Sequence, residues 1–169
     1  MSTTVLVLLG VLAVLPTATV RLSADSWVTP GTQVVVLAAA GLLAALAAPV
    51  TGTAGGVAQV VGVLAAAGGA SPVVRAVFRL AGRRQSTPLP APPEVLRGGA
   101  AIGVLERAAV AATLLAGWPE GLAVVLAVKG LARYPELREA RAGEQFIIGT
   151  FTSVLWAVGC WGSVQALLS

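Results

Sequence analysis

Glu106 and Arg107 sit side by side in the apolar stretch IGVLERAAV (102–110), and Lys129 interrupts a second apolar stretch downstream. A carboxylate in such a setting can accept a proton or a cation, and an ammonium or guanidinium can hold an anion. Ionisable residues within apolar spans are therefore functional-site candidates. Neighbouring residues on a helix point about 100° apart, so Glu106 and Arg107 cannot pair as an i, i+4 couple would. Their partners must come from other helices. A tight turn at Trp118-Pro119 makes the flanking segments an antiparallel hairpin, in which positions whose numbers sum to about 237 lie level. Lys129 then comes level with about residue 108, within reach of Glu106. Downstream, Arg133, Glu144, Gln145, Thr150, Thr152 and Ser153 add charges, an amide and hydroxyls, and Gln59 lies in an earlier segment. Thr150 and Ser153, three apart, share a helix face.

Glu106, Arg107, Lys129, Arg133, Glu144, Thr150 and Ser153 thus define a candidate binding cluster. In it Glu106 is the proton or cation acceptor, and Lys129 and Arg107 are the anion contacts. The competing reading is a clasp, in which a Glu106–Lys129 ion pair fixes helix register. An isolated charge at a span centre costs roughly 2.5–3.5 kcal/mol, so pairing, snorkelling or water must relieve it. The polar residues Gln59, Thr150, Thr152 and Ser153 also have a plain reading as interhelical hydrogen-bonders.

The elements that carry these residues follow from composition. The 169 residues are 57% hydrophobic and 11% charged, with a mean hydropathy of +0.90. A soluble domain has about 25% charged residues, so this chain has too little polar surface to cover a soluble globule. Runs such as VVVLAAAGLLAALAAPV do not alternate as barrel strands do, and helices satisfy their own backbone in lipid. The expected fold is all-α, a polytopic transmembrane bundle of about six spans. With no histidine and one cysteine, Cys160, an intramolecular disulfide, a Cys/His metal or haem site and a His-based catalytic device are excluded. No cofactor or metal is expected.

The six spans are placed at about 3–20, 33–49, 54–80, 98–117, 121–134 and 146–168. The first has a signal-peptide alternative, but no Lys or Arg precedes its apolar run, which favours a retained span. Pro30-Gly31 reads as a turn before the second span. Gly68-Gly69 and Ser71-Pro72 read as a kink or an early end in the third. The chain divides into an N-terminal membrane half (1–81), a proline-rich cytoplasmic linker (82–97) and a C-terminal membrane half (98–169) bearing the charged motif. The fifth span is short, and its end continues as helix through RYPELREARAGE or lies along the interface.

Six spans put Arg21, Arg75, Arg79, Arg83, Arg84, Arg97, Arg133, Arg138 and Arg141 on one side, while 50–53 and 118–120 carry no Lys or Arg. That positive-inside pattern places both termini outside. The net charge of +4 belongs to this asymmetry, and nucleic acid is not an expected partner. The expected partners are the lipid bilayer, anionic headgroups at Arg75, Arg79, Arg83 and Arg84, and a protein partner or second copy of the chain. Small residues at four-residue spacing (Ala40, Ala44, Ala48; Gly99, Gly103) signal close helix packing.

The order GVLERAAV (103–110), AVKGLARYPEL (127–137), EQFIIGTFTSVLWA (144–157) resembles an uncharacterised family of small bacterial inner-membrane proteins. The resemblance covers roughly 99–160 and singles out Glu106, Arg107, Lys129, Arg133, Glu136, Glu144, Gly149, Thr150 and Ser153. That family has no established activity, so the resemblance implies a multi-pass location in the bacterial cytoplasmic membrane and little else. Three functions remain in view. The first is a small transport or binding protein with a charged inner-leaflet pocket. The second is a non-catalytic subunit or scaffold of a membrane complex, with Glu106 and Lys129 as a clasp. The third is a lipid-modifying enzyme, disfavoured for want of a catalytic device.

Overall fold

The computed structural model describes residues 1–19, 27–82, 99–135, 138 and 140–169. Among them six α-helices and no strand occur: α1 (Ser2–Thr19), α2 (Val28–Ala45), α3 (Gly52–Gly82), α4 (Gly99–Leu115), α5 (Glu120–Ala132) and α6 (Ala140–Leu168). The expected linker 82–97 lies outside the described residues apart from Gly82, as do Arg21, Arg83, Arg84, Arg97 and Glu136.

The helices alternate in direction. Ser2 Oγ donates to the Ala48 carbonyl at 3.4 Å, and the Val50 N–H donates to the Leu167 carbonyl at 3.0 Å. The start of α1, the α2–α3 connection and the end of α6 therefore meet at one end of the bundle. The opposite end gathers Arg75, Arg79 and Arg133, late in α3 and after α5. α3 and α6 form the central antiparallel pair, α1 and α2 cover one side, and α4 the other. α5 packs chiefly on α4.

Close backbone approach holds this arrangement. In lipid, helices gain little from a hydrophobic driving force and associate by dense van der Waals packing, which small residues permit. Ala40, Ala44, Ala58, Ala65, Ala66, Ala70 and Ala157 are fully buried, as are Val5, Leu9 and Leu12 along one face of α1. The Trp156 indole of α6 lies across Gly69, where a Cβ would stand 2.4 Å from its ring, and its Nε1 donates to the Ala65 carbonyl at 3.1 Å. Gly68 lies so near α1 that a Cβ would stand 2.6 Å from the Ala13 carbonyl oxygen.

The outer faces are apolar: Val35, Leu42, Leu46, Val60, Leu64 and Leu155 are exposed. Three helical segments are long and apolar enough to cross a membrane, Val28–Ala45, Gly52–Gly82 and Ala142–Leu168. The six-span expectation does not carry over. α4 and α5 have 17 and 13 residues, about 25 and 20 Å at 1.5 Å per residue, against a hydrocarbon core of about 30 Å. They form a shorter hairpin packed on the longer helices, and the apolar stretch of α1, Ser2–Pro16, is also short.

Boundaries differ from expectation for physical reasons. Pro30-Gly31 is not a turn before α2 but part of its first turn, where a missing N–H costs nothing because the first four donors have no intrahelical partner. α3 neither ends nor breaks at Gly68-Gly69 or Pro72; the glycines seat α1 and Trp156, and that packing outweighs the helix-breaking tendency. α5 stops at Ala132 instead of continuing through RYPELREARAGE, and Arg133–Pro135 turn away from the helix. α6 begins at Ala140, six residues before the expected 146, and takes Glu144 and Gln145 into its first turns.

Gly68→Ala should lower stability by about 1–3 kcal/mol, since the added methyl meets backbone that cannot swing aside. Gly56→Ala, on an exposed helix face with nothing within 4 Å, should be neutral or gain up to about 1 kcal/mol. Reversible unfolding in mixed detergent micelles measures both.

Candidate functional site

The α4–α5 turn sets the register of the charges. The Trp118 N–H donates to the Thr113 carbonyl at 2.9 Å and the Gly117 N–H to the Leu114 carbonyl at 3.1 Å. This is a Schellman closure, and it needs the left-handed φ of +70° that Gly117 supplies. Gly121 then fits so closely against Thr113 and Trp118 that a Cβ would lie 2.7 Å from each. A hairpin closed this tightly cannot slip, and it brings Lys129 opposite Glu106.

Lys129 Nζ forms an ion pair with Glu106 Oε2. The side chains are 18% and 22% exposed respectively, so both are largely withdrawn from the surface. On its other side Lys129 Nζ stands 5.9 Å from the centroid of the Phe146 ring, within range of a cation–π contact. α5 is thereby tied to α4 by charge and to α6 by an aromatic ring.

Arg107 points elsewhere, as its 100° offset from Glu106 requires. It is 5% exposed and crosses to α3, where Nε and Nη2 both donate to the Ala67 carbonyl, at 3.0 and 2.7 Å. Nη2 also lies 3.4 Å from Ser71 Oγ. Arg107 thus ties α4 to α3 and commits these donors to the Ala67 carbonyl and the Ser71 hydroxyl.

Two cavities adjoin the cluster. One is a small void of about 10 Å³ bordered by Glu106, Arg107, Val110, Lys129, Thr150 and Ser153. That is near the least space a single water needs, so it is no conduit. The other is an open cleft of about 280 Å³ between the ends of α3, α5 and α6, lined by Phe78, Lys129, Arg133, Gln145, Phe146 and Thr150. Lys129 and Thr150 border both cavities. Thr150 is 8% exposed, and its hydroxyl finds no hydrogen-bond partner among the described residues.

Of the sequence-predicted residues, Glu106, Arg107, Lys129, Thr150 and Ser153 come together around the void, and Lys129, Arg133, Gln145 and Thr150 around the cleft. Arg107 also holds α3. Glu144 is exposed on α6 and borders neither cavity, and Gln59 is exposed near the start of α3, remote from the cluster. Thr152 Oγ1 donates to the Ile148 carbonyl of its own helix at 2.7 Å. Sequence reasoning missed Phe78, Phe146 and the Ala67 carbonyl, which look like any other apolar residues and any other carbonyl.

Compared with known proteins, the chain matches no family model, no curated protein and no solved structure. The geometry of these side chains is the ground on which function is argued.

Arg107→Lys keeps the charge but loses the two-donor fork. It should cost about 1–3 kcal/mol, the range for a hydrogen bond to a charged group. Arg75→Lys, on an exposed position of α3, should leave the unfolding midpoint unchanged.

Proposed function

We propose that this chain is a multi-pass protein of the bacterial cytoplasmic membrane, of the binding or transport class, whose ligand is an anion taken up at the cleft between α3, α5 and α6. The observation that carries the reading is the cleft's wall. Two cations, Lys129 and Arg133, an amide, Gln145, and a buried hydroxyl without a partner, Thr150, converge on one open space. A buried polar group lacking a partner costs free energy, and a ligand oxygen would relieve it. The basic end of the bundle is then the cytoplasmic side and the termini lie outside, in keeping with the positive-inside rule. In this reading Glu106 and Arg107 hold the α4–α5 hairpin in place, and the ligand site begins at Lys129.

A scaffold role in a larger membrane complex is the second reading. It is favoured by the full engagement of Glu106, Arg107 and Lys129 within the fold. Enzymatic action on a lipid has no comparable support.

Calorimetric titration of the purified protein in a neutral detergent with inorganic phosphate tests the anion reading. Binding should be detectable, and Arg133→Gln should weaken it about tenfold, equivalent to about 1.4 kcal/mol. Arg75→Gln should have no effect. Absence of binding in the parent protein, or equal loss in both variants, would leave the scaffold reading in its place.

A further inference from the structure

Resting on the cleft as an anion site, we propose that its ligand is the phosphate headgroup of an anionic membrane lipid, and that Glu106 is the internal rival which sets its affinity by holding Lys129.

Two observations support this ligand chemistry. The cleft opens where α3 and α5 end and α6 begins, at the end of the bundle that gathers Arg75, Arg79 and Arg133. Basic pockets between helices at that depth suit lipid phosphates. The cleft's 280 Å³ falls just short of the roughly 300–1,000 Å³ of sites that enclose a whole organic ligand, which fits a headgroup whose remainder stays outside. Free phosphate shares the headgroup's chemistry, and the choice of probes separates the two sources.

The regulatory part follows from Lys129 bordering both cavities. Its ammonium faces the Glu106 carboxylate on the void side, and on the cleft side it stands beside Phe146, Thr150 and Arg133. A phosphate in the cleft must share or capture an ammonium already engaged by an anion of the protein. Glu106 therefore acts against the ligand by occupying Lys129. Glu144, exposed near the start of α6, is the other carboxylate of this region among the described residues and borders neither cavity. α5 packs chiefly on α4, so Lys129 has more freedom to reorient toward a ligand than a residue of the central α3–α6 pair. Glu106 is a positioning residue for Lys129 and does not touch the ligand.

The test compares three probes by calorimetry in neutral detergent: inorganic phosphate, dihexanoyl phosphatidic acid and dihexanoyl phosphatidylcholine. The lipid assignment predicts that phosphatidic acid binds at least tenfold more tightly than inorganic phosphate, with phosphatidylcholine weakest. Equal binding of the two phosphates would overturn the lipid assignment and leave a soluble anion as ligand. No binding of either would overturn the cleft reading itself. The rivalry predicts that Glu106→Gln tightens phosphatidic acid binding about three- to tenfold, and that Glu106→Asp, whose shorter side chain keeps the charge but reaches less far, tightens it by a smaller factor. In a Lys129→Gln background, Glu106→Gln should change affinity by less than about twofold, because the two act through one contact. Unchanged or weakened binding in Glu106→Asp and Glu106→Gln would show that Glu106 only supports the site. An equal effect of Glu106→Gln in both backgrounds would show a general field in place of a rivalry for Lys129. Should Glu106→Gln fail to fold, Glu106→Asp decides the matter by its sign.

Discussion

A charge carried into the apolar body of a helical bundle has to be met by another part of the same chain, because the apolar surroundings offer it no partner. Arg107 shows how far this constraint reaches. Its guanidinium has left solvent and spends two donors on one carbonyl of α3. An unpaired buried guanidinium is costly, and this contact relieves that cost while fixing the height of α4 against α3. The rest of the α4–α5 hairpin inherits its position from that contact, through the Gly117 turn and then the Glu106–Lys129 pair.

The division of labour in the cluster follows. Three ionisable residues that look equivalent in the sequence have unequal duties. Arg107 is committed to α3. Glu106 is committed to Lys129. Lys129 alone stands between a closed interior and an open cleft, where Arg133 and Thr150 also arrive. The cation of the Glu106–Lys129 pair also forms part of the wall of the cleft between α3, α5 and α6, so a clasp and the proposed ligand site are not exclusive. α5 suits such a role, being the shortest helix and the one least embedded in the bundle.

Much of this was legible in the residues. Composition dictates an all-helical fold with apolar outer faces, and the Trp118-Pro119 turn by itself places Lys129 level with Glu106. The length of the helices was not legible, because apolar character extends beyond hydrogen-bonded structure. α5 reads as a span through Tyr134, yet its ladder closes at Ala132, and Pro135 has no N–H to carry it further. Glycine and proline were misread where packing overrode propensity. Gly68, Gly69 and Pro72 suggest a break, but two of them are the points at which α1 and Trp156 come closest. Burial of Arg107 against α3 was hidden because its partner is a carbonyl, which every residue has. The cleft was hidden for a similar reason: Phe78 and Phe146 read as ordinary apolar residues until helix ends bring them together.

The central claim is that Glu106 and Lys129 are energetically coupled within the fold. A double-mutant cycle in stability addresses it most directly, using Glu106→Gln, Lys129→Met and the double variant, with unfolding followed in mixed micelles without added lipid. Coupled partners give single losses that the double variant largely restores, with an interaction energy of roughly 1–3 kcal/mol. Additive losses, or no loss in any variant, would contradict the account. The hairpin would then be held by its turn and by Arg107 alone, and the two charges would be independent of each other.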